Sequence, residues 1–273
     1  MNKVIPEKIF IVPYRDRAPQ RMAFIHIMSW ILEGQNYRIL FIHQKDTRPF
    51  NRGAIKNIGF IYVRDTYPNN YRNITLIFHD IDYISWRRGQ FSFTTQPGVI
   101  THHLGFERSL GGIFSIKAGD FEKINGFPNI WTWGLEDNIL YNRSRQAGLK
   151  VDGRRRLMVQ DDMKDIIGLW HGWGRLINPN IHNKMVYDRT HGRQDGIRCL
   201  RNVRYTEKVD DKDKISMIDV YSFTTNESLN SPFVKGAKMA DARYYKSFKD
   251  KHLYRRQKKS RFFNFGRPSN VRR

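Results

Sequence analysis

The 273-residue chain holds a single cysteine, Cys199. That excludes an intramolecular disulfide and a cysteine-built metal site, and it suits a reducing compartment. Long apolar runs are also missing. The start, MNKVIPEKIFIVPYRDR, offers only a short one before Pro13 and Arg15, so neither a signal peptide nor a membrane anchor is expected. The expectation is a soluble, cytoplasmic protein. No internal repeat of roughly 20–50 residues is visible, and no helix-turn-helix, zinc-finger or RNP signature supports nucleic-acid binding. Acidic residues are scarce: 26 Asp and Glu face 48 Lys and Arg, a formal charge of +22.

What is present is enough for a full core, with 40% hydrophobic and 14% aromatic residues in a globular composition. The positive charge is uneven. Residues 235–273 carry fourteen Lys and Arg against two Asp, which is +12 of the total. The chain therefore divides into a domain at 1–234 and a basic, aromatic-containing tail at 235–273. Such a tail is either solvated and anchored by its aromatics or binds an acidic partner or a membrane surface.

KIFIVPY (8–14), YRILFIH (37–43) and NITLIFHD (73–80) read as strands. Between them, apolar residues recur at helical spacing from Arg21 to Glu33 (Phe24, Met28, Ile31, then Gly34 as a stop), and again over 51–65. Strand–helix alternation predicts an α/β fold with a mostly parallel sheet and helices on both faces. Ligands of such sheets bind beyond the carboxyl ends of the strands. The three strands deliver RDR, HQKD and HDID there.

Four constellations carry chemistry. In HDID, alternation along an extended strand would aim Asp80 and Asp82 the same way across Ile81, which suits a hard divalent cation. In VPYRDR, Arg15 and Arg17 are suited to phosphate oxygens and Tyr14 to a base or sugar. RPFNRG puts Phe50 and Arg52 at a helix start, where backbone N–H groups favour anions. WTWGLEDN sets Trp131 and Trp133 beside Glu136 and Asp137. Aromatic faces with carboxylates suit a sugar, and a carboxylate next to a hydroxyl can act as general base. The competing reading makes both tryptophans core and places the carboxylates at a helix N-terminus. Adjacent carboxylates are poorly arranged to flank a glycosidic bond, so transfer is favoured over hydrolysis.

VPYRDR, FNRGAIKNIGF, FHDID and GGIFSIKAGDFEKINGFPNIWTWGLEDNILYNR follow one another as in the β-1,4-galactosyltransferases, which this chain resembles closely over about residues 8 to 150. DGIRCLRNVRYTEKV extends a looser likeness to about 205. The resemblance implies a GT-A-type, Rossmann-like fold and an inverting, metal-dependent transfer of a hexose from a UDP-sugar. UDP-galactose with Mn²⁺ is the usual pair, and the acceptor a glycan or glycoprotein. It implies that Pro13, Tyr14, Arg15, Arg17, Phe50 and Arg52 line the uridine diphosphate, with Asp80 near ribose and sugar. Gly111 and Gly112 would let the backbone approach the donor. Asp82 and His171 would ligate the metal, with His182 and His191 as rivals to the histidine. Trp133, Glu136, Asp137 and Asn138 would meet the acceptor, and Asp137 would be the base.

Three positions depart from the family pattern. Asn138 replaces a second acid, Gly168 and Leu169 stand where a further metal ligand is usual, and Ser109 stands where an aromatic is frequent. A small residue at Ser109 leaves room for an N-acetylhexosamine, and UDP-glucose is a further alternative donor. Golgi members of the family carry an anchor and disulfides, so this chain resembles a soluble relative of microbial or viral origin. The reading from another class is a non-catalytic glycan- or polyanion-binding protein.

Overall fold

A computed structural model describes residues 4–131, 134–158, 163–169, 174–177, 195–210, 214–229 and 238–241. It begins with β1 (Lys8–Tyr14), α1 (Ala18–Ile31), β2 (Tyr37–Gln44), α2 (Arg52–Thr66), β3 (Thr75–His79) and β4 (Tyr83–Ser85). β5 (Val99–Leu104), β6 (Ile113–Lys117), α3 (Ala118–Lys123), α4 (Glu136–Gln146), β7 (Lys150–Asp152), β8 (Ile166–Gly168) and β9 (Gly174–Ile177) follow. The last elements are β10 (Arg201–Asp210), β11 (Ile215–Thr224) and β12 (Lys238–Asp241).

Among the described residues an eight-stranded sheet runs β10-β11-β2-β1-β3-β6-β5-β7. Its middle, β11, β2, β1 and β3, is parallel, as the alternation predicts. β6 runs antiparallel to β3 and β5, and β10 forms an antiparallel hairpin with β11. These later strands lack intervening helical patterns, so alternation alone did not disclose them.

Each strand of the middle feeds two cores, because successive side chains point to opposite faces. Ile9 and Ile11 pack with α2, Leu40, Ile42 and Phe78, whereas Phe10 and Val12 pack with Phe24, Met28 and Ile31 of α1. Helices thus cover both faces. α1 starts three residues earlier than the apolar spacing indicates, because Pro19 suits the first helical turn. α2 is capped by Asn51, whose side chain accepts from the Ala54 N–H at 2.9 Å, while the Asn51 N–H donates to Gln44 Oε1 at 2.8 Å. That pair ties the end of β2 to the start of α2, fixing where Arg52 emerges. Four residues of the basic C-terminal region form β12, which pairs antiparallel with β9. No helix among the described residues is long and apolar enough to cross a membrane.

Candidate active site

Arg52 lies at the centre of a charge cluster beyond the carboxyl ends of β1 and β3. Its Nη1 donates to Glu136 Oε1 at 2.7 Å and to both Asp137 oxygens at 2.9 Å. Its Nη2 donates to the Asp80 oxygens at 2.5 and 2.7 Å. The three acids come from two places: the end of β3 and the first turn of α4, where the helix dipole favours negative charge. Glu136 also accepts from the Gly134 N–H at 3.1 Å. Burial alone would push the Asp80 carboxyl up, but Arg52 and Lys56 more than offset it and bring its pKa to about 2. Burial works against the Arg52 charge too, and Asp137, Asp80 and Glu136 together hold it well above its ordinary value.

The paired glycines fit against this cluster. A Cβ on Gly111 would stand 2.6 Å from Asp137 Oδ2, so only a bare Cα lets the carboxylate lie there. Gly112 has φ +72, and a Cβ would meet the Leu104 carbonyl oxygen at 2.3 Å. Its own carbonyl accepts from the Asp80 N–H at 3.0 Å, while the Leu110 N–H donates to the Asp137 carbonyl at 3.0 Å. His102 Nε2, 3.0 Å from the Gly111 carbonyl, braces the same loop from β5.

The other residues singled out in the sequence are placed as follows. β3 ends at His79, and Ile81 and Asp82 form a turn into β4. The strand alternation expected to aim Asp80 and Asp82 alike therefore stops short of them. Arg15 is committed inward: it donates to the carbonyls of Gln44, Asp46 and Arg48 at 3.0, 2.7 and 2.6 Å, and lies 5.5 Å from the Phe50 ring centroid. It fastens the β2–α2 loop beside the site. Arg17 donates to the Asp16 carbonyl at 3.0 Å. Pro13 is buried, and the half-buried Tyr14 ring meets His43 edge-on at 5.1 Å. His43 in turn contacts Asp219 at 2.8 Å. Asn138 donates to the Arg108 carbonyl at 3.0 Å. Ser109 is buried. Trp131 is core: it stacks on Phe223 with centroids 5.2 Å apart, and its Nε1 donates to Thr225 Oγ1 and the Glu227 carbonyl. Trp133, His171, His182 and His191 lie outside the described residues.

Sequence profiles match in two blocks. Residues 4–90 match the N-terminal region of glycosyl transferase group 7, and residues 99–164 match the N-terminal domain of galactosyltransferase. Together they cover more than half of the chain. The chain belongs to the β-1,4-galactosyltransferase family. It is 26% identical to Drosophila melanogaster β-1,4-galactosyltransferase 7 over 231 residues, covering 80% of this chain and 64% of that protein. To Mus musculus β-1,4-galactosyltransferase 5 it is 32% identical over 152 residues, covering 52% of this chain and 38% of that one. The match thus spans less than two thirds of either relative.

Two solved structures of the Drosophila β-1,4-galactosyltransferase 7 resemble it. The catalytic domain with xylobiose has a TM-score of 0.63 at 24% identity, over 83% of this chain and 97% of that one. A variant in complex with manganese, UDP-Gal and xylobiose has a TM-score of 0.61 at 21% identity, with the same coverage. The likeness establishes the GT-A fold that the motifs implied.

A divalent cation calls for oxygen donors. Asp80 is paired with Arg52, and half-buried Asp82 follows it two residues later. β8 pairs antiparallel with β4, bringing Gly168 opposite Tyr83, and the Leu169 N–H donates to the Asp82 carbonyl at 2.7 Å. Among the described residues, no group of three or more His, Cys, Asp or Glu side chains is placed to hold a metal. Asp82 has the donor chemistry such an ion requires.

Sequence reasoning passed over Lys56 and Asn57. Asn57 donates to the Phe127 carbonyl and Asn129 Oδ1 at 2.8 and 3.0 Å, tying α2 to the segment leading to α4. Lys56 joins the charge cluster from the buried side. The available signal was a lone lysine four residues after Arg52 within an apolar helical stretch.

Proposed function

We propose that the protein is a UDP-sugar-dependent glycosyltransferase that moves galactose, with inversion, from UDP-galactose to a sugar hydroxyl. The observation that carries this reading is the convergence of Arg52, Asp80, Glu136 and Asp137 on one point beside the paired glycines. Family membership and a related fold seen with UDP-Gal, manganese and xylobiose support it. Asp137 accepts the proton of the acceptor hydroxyl, which attacks the anomeric carbon from the face opposite the leaving UDP. Glu136, Asn138 and Trp133 orient the acceptor. Tyr14, Pro13 and Phe50 form the wall for uridine, and Arg15 and Arg17 shape the diphosphate end with Gly111 and Gly112. Arg52 has two roles: it holds the acids of the free enzyme and turns donors toward the diphosphate when UDP-sugar enters.

Asp82 and His171 would hold a divalent cation, which when bound supplies positive charge to the departing diphosphate. The position of Leu169 against Asp82, two residues before His171, supports that pair.

The test is a donor panel of UDP-galactose, UDP-N-acetylgalactosamine and UDP-glucose with Mn²⁺, following UDP release with and without xylose or N-acetylglucosamine acceptors. UDP-galactose is expected to turn over fastest. The Asp137→Asn variant should bind UDP-galactose while losing about 10²–10⁴-fold in rate. Full transfer by that variant, or no turnover of any donor by the wild type, overturns the assignment.

A further inference from the structure

Lys56 follows Arg52 by four residues on α2, so both side chains leave the same face of the helix. Its side chain is 1% exposed, in a stretch whose neighbours Ile55, Ile58 and Phe60 belong to the core. The ammonium lies 3.5 Å from Asp137 Oδ1 and 3.8 Å from Asp80 Oδ1, and 4.5 Å from the centroid of the Phe127 ring. A charge so deeply placed is costly unless its partners require it. Burial and Arg52 push the Lys56 pKa down, while Asp137, Asp80 and Glu136 oppose that shift.

Without Lys56, one guanidinium would face three carboxylates. That guanidinium is also the group that must turn toward the diphosphate on the function proposed above. Each N–H it gives to phosphate is one fewer for the acids, and Asp137 would be left beside Asp80 and Glu136 with no counter-charge. Arg52 keeps 17% of its side chain exposed and can make the exchange, whereas Lys56, 1% exposed, stays.

We propose that Lys56 is a positioning residue whose ammonium keeps the Asp137 carboxylate charge-paired and aimed while Arg52 engages the donor diphosphate. The inference rests on Asp137 being the base. Charged and titratable groups facing Asp137 are Arg52 and Lys56 of α2, Asp80 beyond β3, His102 of β5 and Glu136 on its own helix. Burial holds His102 at about 4, so it is neutral over the working range.

The experiment compares pH profiles of wild type and Lys56→Met, which keeps the long stem and removes the charge. The expected result is a kcat lower by about 10- to 100-fold with the UDP-galactose KM changed by less than about twofold. The acid limb of kcat, which reports the substrate complex, should move up by about 1 pH unit. The limb of kcat/KM should move less, because in the free enzyme Arg52 still holds Asp137. A lowered kcat with neither limb moved makes Lys56 merely structural and overturns the proposal, as does an unchanged kcat.

A second measurement leaves Lys56 intact and does not depend on turnover. The ¹⁵N resonance of its side chain is compared between wild type and Asp137→Asn, with and without UDP. A change caused by the substitution that grows when UDP is bound supports the exchange; no change overturns it. A wild type that turns over no UDP-sugar overturns the proposed function alone, and the resonance then still decides whether Lys56 and Asp137 are paired.

Discussion

Nη1 of Arg52 lies 2.9 Å from each carboxylate oxygen of Asp137, joining residues 85 positions apart in sequence. The same group reaches Glu136, and the other terminal nitrogen reaches Asp80. Five guanidinium N–H donors in one plane make this many-sided contact possible, and a lysine could not reproduce it.

Arg52→Ala should therefore destabilise the fold more than a surface change would. Removing one partner of a buried pair leaves the others uncompensated, at a cost of about 3–5 kcal/mol. In the variant, Asp80 loses the guanidinium that holds its carboxyl down, and its folded-state pKa rises. The folded variant then binds more protons, so its deficit relative to wild type should narrow as pH falls through the carboxylate range. Urea unfolding at pH 7 and pH 4 checks both the size and the sign.

Asp80 makes the opposite contribution in the wild type. Its pKa is about 2 in the fold against 3.8 for the ordinary side chain. A depressed folded pKa gives stability that is present above the unfolded value and lost as pH falls toward the folded one. The window is therefore about pH 4 down to 2, and the size on the order of 2 kcal/mol. Asp80→Asn should flatten the wild-type decline across that window. Denaturant midpoints at half-unit steps of pH would show it, and parallel curves for the two proteins would contradict it.

The sequence made some of this architecture visible because period and local chemistry coincide there. Phe24, Met28 and Ile31 line the inner side of α1 as their spacing indicates, and the apolar runs of β1 to β3 form the parallel centre of the sheet. Glu136 and Asp137 begin a helix, as the competing reading of a helix N-terminus with two acids in its first turn has it. What stayed hidden depends on long-range pairing. β11 enters the sheet beside β2, more than 170 residues away, and no local pattern announces its partner. Arg15 looks like a free phosphate ligand in VPYRDR, but three backbone carbonyls of the next loop satisfy it. In WTWGLEDN, Trp131 turned out to pack against Phe223, beneath the Arg48 guanidinium at 4.6 Å. Aromatic composition alone could not divide core from sugar platform.

Gly111 offers the sharpest geometric prediction. Its backbone occupies the space against which the Asp137 carboxylate rests, and a methyl group there would sit 2.6 Å from Oδ2. Carbon and oxygen do not approach that closely without displacement. The loop has little freedom to yield, since the Gly111 carbonyl faces His102 and the Leu110 N–H holds the Asp137 carbonyl. The carboxylate is therefore the part that moves. On the proposed role of Asp137 as base, a shift of about 1 Å would cost on the order of 10²-fold in rate. Gly111→Ala should lower kcat by about that factor while the midpoint of thermal unfolding changes by only a few degrees. Gly111→Ser, which adds one more atom at the same place, should be no better. A fully active Gly111→Ala enzyme would mean that the Asp137 carboxylate works from somewhere other than its position against this loop.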